Sequence, residues 1–452
     1  MQLLKRYWRV AVIATGVLLV TLALVIVTSP NNKPNTTVAT NPAATQNVAG
    51  GRLAKGSTVM TTDEQIASYQ DKLRQSENAP DLARLGLAYL QKVREVTDPV
   101  YYTKAEGVFK KALQLDPVNF AAMEGMGSLN LSRHQFAQGL DWGLKAQKLQ
   151  PRDTYAYGVM NDALIELGRY DEAVQILQTM IDIHPDLSSY SRVSYQRELH
   201  GEYDGAIEAM QQAVTSRGPT PENQAYVMYQ LGLLYFNHNN LDQAENNFQQ
   251  SLTVVPDYVY GLQGLARIKI ARGDLNGAAD LYSKITQRMP IEQFIIEYGD
   301  LLNTQGKTGE ANRQYELVRS IDKIYKENGV NTDIEIALFN DDHDYNLTDN
   351  LSLAQVEYKA RPSIKAADVL AWTLYKTGDF KQALDLETQA LRLGTQDSLY
   401  YYHAGMINMK LGQSDAARSY LQKALNLNPN FSLLYQDQAR KMLTQLGGTA
   451  VK

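Results

Sequence analysis

The chain has 452 residues, 44% hydrophobic and 21% charged, enough for about three globular domains or one extended repeat array. Lys+Arg is 44 against Asp+Glu 49, and the formal charge of −5 argues against a dedicated nucleic-acid binder, which carries a basic excess to release counterions. With no cysteine, disulfides, thiolate metal sites, iron–sulfur clusters and cysteine nucleophiles are excluded.

Residues 1–9 are a basic N-terminus carrying Lys5, Arg6 and Arg9, with Tyr7 and Trp8 at the expected interface. Residues 10–27 carry no charge. As a helix they would be about 27 Å long, close to the hydrocarbon thickness of a bilayer. The rival reading, a cleaved signal peptide, asks for a shorter apolar run, and Pro30 follows the first candidate cleavage site at Val27-Thr28-Ser29. The expectation is an uncleaved transmembrane helix with the N-terminus cytoplasmic and the rest of the chain periplasmic or extracellular. Residues 28–60 are rich in Asn, Thr, Ala, Pro and Gly and read as a flexible tether.

From there the prolines act as a ruler. Pro117, Pro151 and Pro185 lie 34 apart, as do Pro256 and Pro290, and the gaps to Pro362 and Pro429 are 72 and 67, near twice that period. The same residue types recur in phase: Leu231, Gly232, Tyr235, Ala244 and Phe248 before Pro256, and Leu85, Gly86, Tyr89, Ala105, Phe109 and Ala112 before Pro117. Gly405, Gly412, Ala417, Leu421 and Ala424 do the same before Pro429. Turns return at Gly168-Arg169-Tyr170, Gly201-Glu202-Tyr203, Gly273-Asp274-Leu275 and Gly378-Asp379-Phe380. Small residues let two helix axes approach, a large apolar residue fills the space between them, and glycine accepts the positive φ of a helix C-cap.

These residues resemble the tetratricopeptide repeat, a 34-residue helix–turn–helix unit. The resemblance implies an all-α fold, a right-handed superhelix (an α-solenoid) of about ten repeats over residues 61–446, followed by a short tail at 447–452. The fourth repeat (187–220) is irregular, with Ser194 at a small-residue position, and the eighth (332–362) rests on residues 334–339 and 351–360. The first carries an insertion at 95–100. A helix over 63–76, capped by Thr62 with Gln65 three residues on, and a final helix over 433–446 would cover the ends of the stack. Some members of the family append an enzyme domain; no room for one is expected after residue 446.

Catalytic signals are weak. None of His134, His184, His200, His238, His343 and His403 forms the i, i+4 pair of a zinc protease. The first four sit near helix ends, where imidazole can contact free carbonyls. Asp341, Asp342, His343 and Asp344 resemble the start of a calcium loop, but Leu347 and Leu353 stand where glycine and the bidentate glutamate belong, so a polar connection capping the next helix is expected. No catalytic residue, metal set or cofactor is read from the sequence. An unrecognised enzyme would require Asp162, Glu166, Glu198, Arg267 and Asp300 to converge across the superhelix.

In the fifth repeat Met228, Leu231 and Tyr235 form one apolar stripe, and Tyr229, Leu233 and Phe236 form a second. By resemblance, first helices line the concave face, so the second stripe, with Tyr195, Tyr260, Arg267, Asp300, Trp372, Tyr375 and Tyr402, would lie in a partner groove. The alternative is burial of these residues between adjacent repeats. The function expected is a membrane-anchored, non-catalytic scaffold binding peptide or helical segments of partner proteins, with no nucleic acid. An envelope assembly or quality-control factor using the same groove is the alternative.

Overall fold

The computed structural model describes residues 60–216, 218 and 220–449. The apolar segment at 10–27 and nearly all of the tether lie outside them. Among the described residues no helix is long and apolar enough to cross a membrane.

The described residues form 22 helices and no strand. A single helix, α1 (Thr62–Gln75), leads into antiparallel pairs. These are α2 (Ala79–Val96) with α3 (Val100–Leu115), α4 (Phe120–Ser132) with α5 (Phe136–Leu149), and α6 (Thr154–Glu166) with α7 (Tyr170–Ile183). Next come α8 (Leu187–Leu199) with α9 (Tyr203–Thr215), α10 (Pro221–Asn237) with α11 (Leu241–Val254), and α12 (Val259–Ala271) with α13 (Leu275–Arg288). The last are α14 (Glu292–Thr304) with α15 (Thr308–Glu327), α16 (Asp333–Asp342) with α17 (Leu347–Ala360), α18 (Ile364–Thr377) with α19 (Phe380–Ala390), and α20 (Ser398–Lys410) with α21 (Ser414–Leu427). A single helix, α22 (Gln436–Gln445), follows the tenth pair.

The pairing follows from the small residues. Phe248 of α11 lies against Gly232 of α10 and Gly264 of α12, where an added Cβ would stand 2.5 Å from its ring in either case. Phe109 of α3 lies in the same way against Gly86 and Gly125. Phe248 and Phe109 have no exposed surface, and neither have Ala244 and Ala105 one turn before them. Ser194 meets the same steric demand in the fourth pair, and its hydroxyl donates to the Ala206 carbonyl at 2.7 Å. Gly168, Gly201, Gly273 and Gly378 all take the positive φ expected of them, between 72° and 96°.

Two local expectations are corrected. The first capping box is Thr61 with Glu64, not Thr62 with Gln65. The Glu64 carboxylate accepts from the Thr61 N–H at 2.7 Å, while Thr62 turns inward to donate to Glu95 of α2. The last helix begins at Gln436 rather than 433, because the Ser432 hydroxyl accepts from the N–H groups of Leu434 and Tyr435 and holds a turn there.

The array also returns to itself. The Asn331 N–H donates to the Arg133 carbonyl at 2.9 Å, and His134 Nδ1 lies 2.7 Å from the Asn331 carbonyl oxygen. The Ile364 N–H donates to the Tyr170 hydroxyl, and Thr395 Oγ1 to the Leu199 carbonyl. Each contact joins residues 194–198 apart, between five and six repeats of 34 residues. Leu131, Phe136, Leu164, Tyr170 and Ile364 form one core across this seam.

Candidate functional site: the wall of first helices

First helices of successive pairs meet at several places along the array, and side chains one repeat apart join there. Arg192 Nε and Nη2 donate to Asp162 at 2.8 and 2.6 Å, a bidentate contact. Arg267 Nη2 reaches Glu297 at 2.5 Å, Lys365 Nζ reaches Glu335 at 2.6 Å, and the Trp372 indole donates to Asp342 at 3.1 Å. All four pairs are separated by 30 residues in sequence. Gln196 with Asn161, and Tyr229 with Gln263, continue the same line. The result is a polar ladder in which Asp162 and Arg192 are buried and paired, as buried charge requires, while Arg267, Glu297, Glu335 and Lys365 are half-buried.

The electrostatics follow from the pairing. Burial works against the Glu297 carboxylate, but Arg267, the Tyr282 hydroxyl and the Gln263 amide outweigh it and hold its pKa below the ordinary value. Glu335 is likewise opposed by burial and held lower still by Lys365, His134 and Arg361. Asp341 has no such cation in contact. Burial raises its pKa to about 7 although Thr373 and Asn350 donate to it.

The candidate groove residues divide into two sets. Tyr229, Phe236, Tyr260, Asp300, Trp372 and Tyr402 are buried, Trp372 and Tyr402 almost completely. The Tyr229 ring lies 5.5 Å from that of Tyr260, and Trp372 stacks on Tyr375 at 4.5 Å and on His403 at 4.1 Å. Asp300 accepts from the Tyr315 hydroxyl at 2.9 Å and lies 3.0 Å from His343 Nε2. Tyr195, Leu233, Arg267 and Tyr375 are half-buried.

Asp162, Glu166, Glu198, Arg267 and Asp300 are not drawn into one constellation. Asp162 pairs with Arg192, Glu166 lies 3.7 Å from Arg361, Arg267 pairs with Glu297, and Asp300 with Tyr315 and His343. Burial, with Asp397 nearby, pushes Glu198 up to about 7. His200 and His238 take the expected role at helix ends, and His343, expected only in the acidic connection, does the same, each Nδ1 lying within 3.1 Å of a carbonyl four residues back. Asp341 and Asp342 end α16 and point into the array, so they do not cap the next helix as expected. Asp342 instead accepts from Trp372 and from the Tyr435 hydroxyl at 2.8 Å.

Glu297, Glu335 and Lys365 are absent from the sequence-based set of wall residues. A signal for them exists: opposite charges recur at a separation of 30 in first helices, one repeat less its phase shift.

The tetratricopeptide-repeat family matches at residues 162–186, 229–290 and 399–431. Among curated proteins the chain is 23% identical over 281 residues to the CTR9 homolog of Arabidopsis thaliana, covering 60% of this chain and 25% of that protein. It is 21% identical over 285 residues to the TPR repeat-containing protein YpiA of Bacillus subtilis, covering 63% and 58%. The chain thus spans less than two thirds of the length of either relative. Among solved structures, a human IFIT1 dimer with PPP-AAAA aligns over 73% of this chain and 77% of its own, at 18% identity and a TM-score of 0.46. The described residues form an all-α solenoid in which residues 162–186, 229–290 and 399–431 are tetratricopeptide repeats.

Proposed function

We propose that the protein is a membrane-anchored, non-catalytic scaffold that holds segments of partner proteins on the wall of first helices. The observation that carries this reading is the match to tetratricopeptide repeats, whose helix pairs form protein-binding surfaces, at three places along the array. Tyr195, Leu233, Arg267 and Tyr375 are the contact residues, because they keep accessible surface on that wall. Tyr229, Tyr260, Trp372 and Tyr402 hold them in place from behind. This division suits an extended peptide or one face of a helix, with aromatic and aliphatic anchors and a charged selector.

The uncharged run at 10–27, preceded by Lys5, Arg6 and Arg9, supplies the anchor and sets the array outside the cytoplasm. Partners are then envelope, secreted or extracellular proteins. A photo-crosslinking residue at Leu233 or Tyr375 should capture a discrete partner from membranes. The same probe at Val118, 62% exposed on α3's C-terminal connection, should not. Equal labelling from all three sites would reject the wall as the docking surface. Protease added to cells with a permeable outer layer should digest the array; its protection would reverse the orientation.

A further inference from the structure

The ninth pair places a charge at the packing position between its helices. In the fifth pair the second helix reads Ala244, Phe248, Ser251, and in the tenth Ala417, Leu421, Ala424, with the large apolar residue filling the space between helices. The ninth pair reads Ala383, Glu387, Ala390. A carboxylate stands where Phe or Leu belongs, and it is 1% exposed.

Glu387 does not find a donor there. Neither of its oxygens has a hydrogen-bond partner among the described residues. The sixth and seventh pairs also place a polar tip at this position, but there it is the hydroxyl of Tyr282 or Tyr315, which donates to Glu297 or Asp300. Glu387 instead faces Asp368 of α18 and His403 of α20, and one ligand atom from each of the three lies within 4.8 Å of the others. Asp368 is 1% exposed and His403 has no exposed surface. His403 Nδ1 lies 2.8 Å from Asp368 Oδ1, its Nε2 is unpartnered among the described residues, and Trp372 stacks on its ring at 4.1 Å.

Asp368 and Glu387, with the His403 imidazole beside Asp368 and no donor on Glu387 among the described residues, cannot both stay ionised in a dry interior unless a positive charge sits between them. Three helices converge on that point, so the charge must fit a small, rigid space. We propose that Asp368, Glu387 and His403 bind a divalent transition-metal cation that braces the ninth pair against the tenth. The donor set is one imidazole and two carboxylates, which suits zinc-like ions better than calcium or magnesium, both of which prefer all-oxygen shells. Zinc–ligand bonds of about 2.0–2.2 Å would draw the three ligand atoms to roughly 3.4 Å apart. Small rotations of Glu387 and Asp368 cover that contraction. The competing occupant is a proton, shared between the two carboxyl groups or held on the His403 ring.

The test uses the full chain, purified in detergent, stripped with a chelator and titrated with Zn2+ by calorimetry and by thermal melting. One equivalent should bind and raise the melting temperature. Co2+ in its place should give the visible absorption of a low-symmetry site, and Trp372 emission should change as His403 is ligated. Glu387→Gln should weaken Zn2+ binding by about 100-fold or more, the loss expected when a ligand rather than a neighbour is removed. Glu387→Leu, which places there the residue of the tenth pair, should fold with a melting temperature insensitive to Zn2+. The proposal is overturned if the folded wild-type chain binds no Zn2+, or if Glu387→Gln and Glu387→Leu bind it as tightly as wild type. Either result would leave a proton as the occupant.

Discussion

The hydroxyl of Tyr170 accepts a hydrogen bond at 2.8 Å from the backbone N–H of Ile364, 194 residues further along the chain. Tyr170 opens the second helix of the third pair and Ile364 opens the first helix of the ninth. Beside them Arg392 lies over the Tyr170 ring and Arg361 over that of Phe136. An array whose units touch only their neighbours has a stability set by nearest-neighbour interfaces. Here a second set of interfaces ties the early pairs to the late ones.

Tyr170→Phe should therefore weaken both halves of the array. It leaves the ring and removes the acceptor, so the buried Ile364 N–H loses its partner, at a cost of about 1–3 kcal/mol. Hydrogen exchange should accelerate at Ile364 and at the seam amides near Asn331. Acceleration confined to α7 would show that the seam carries no stability.

Two glycines in the same turn type should respond differently to alanine. Gly168 (φ 72°) has the Pro362 carbonyl oxygen 2.5 Å from where a Cβ would stand, whereas Gly273 (φ 83°) has open space there. Gly273→Ala should cost about 1–2 kcal/mol, the left-handed penalty alone. Gly168→Ala adds a backbone collision across the seam and should cost clearly more in denaturant unfolding. Equal losses would mean that the seam opens freely.

Asp341 gives the array a pH dependence with a defined sign. Its folded pKa, raised by burial to about 7, exceeds the ordinary aspartate value, so the folded state keeps a proton that the unfolded chain has released. This contribution is fully present below the unfolded value of about 4 and is lost as pH rises toward 7. Asp342 reinforces the rise and Lys376 opposes it. Asp341→Asn should flatten the decline in melting temperature between about pH 4 and 7. An unchanged slope would assign the decline to other groups.

Phe248→Ala should cost about 3–5 kcal/mol, because the ring has no exposed surface and fills the space beside Gly232 and Gly264. The loss should appear as early protease cleavage within α10–α12. Cleavage elsewhere first would move the weak point away from the fifth pair.

The helix pairs are legible in sequence because their requirement is local and repeated. Gly232, Ala244 and Phe248 each answer one steric demand that returns every 34 residues. The fate of Tyr229 and Trp372 is not local. Whether a second apolar stripe faces solvent or a neighbouring first helix depends on how closely successive pairs wind, and both rings are buried. The seam is less legible still, since it is written largely in backbone groups such as the Arg133, Leu199 and Asn331 carbonyls. Glu387 was readable, as a charge in the place of Phe248, once the repeats are set in register.

Closure of the array on itself is tested most directly by a cross-link across the seam. Thr103 Oγ1 lies 3.4 Å from Asn328 Oδ1, 225 residues away and at the surface. The chain contains no cysteine, so Thr103→Cys with Asn328→Cys introduces the sole two thiols. Oxidation, or a short bis-maleimide, should join them within one chain, giving a faster-migrating band in a denaturing gel and no free thiol. Two fully titratable thiols in the folded protein, with no cross-link, would contradict the closed array.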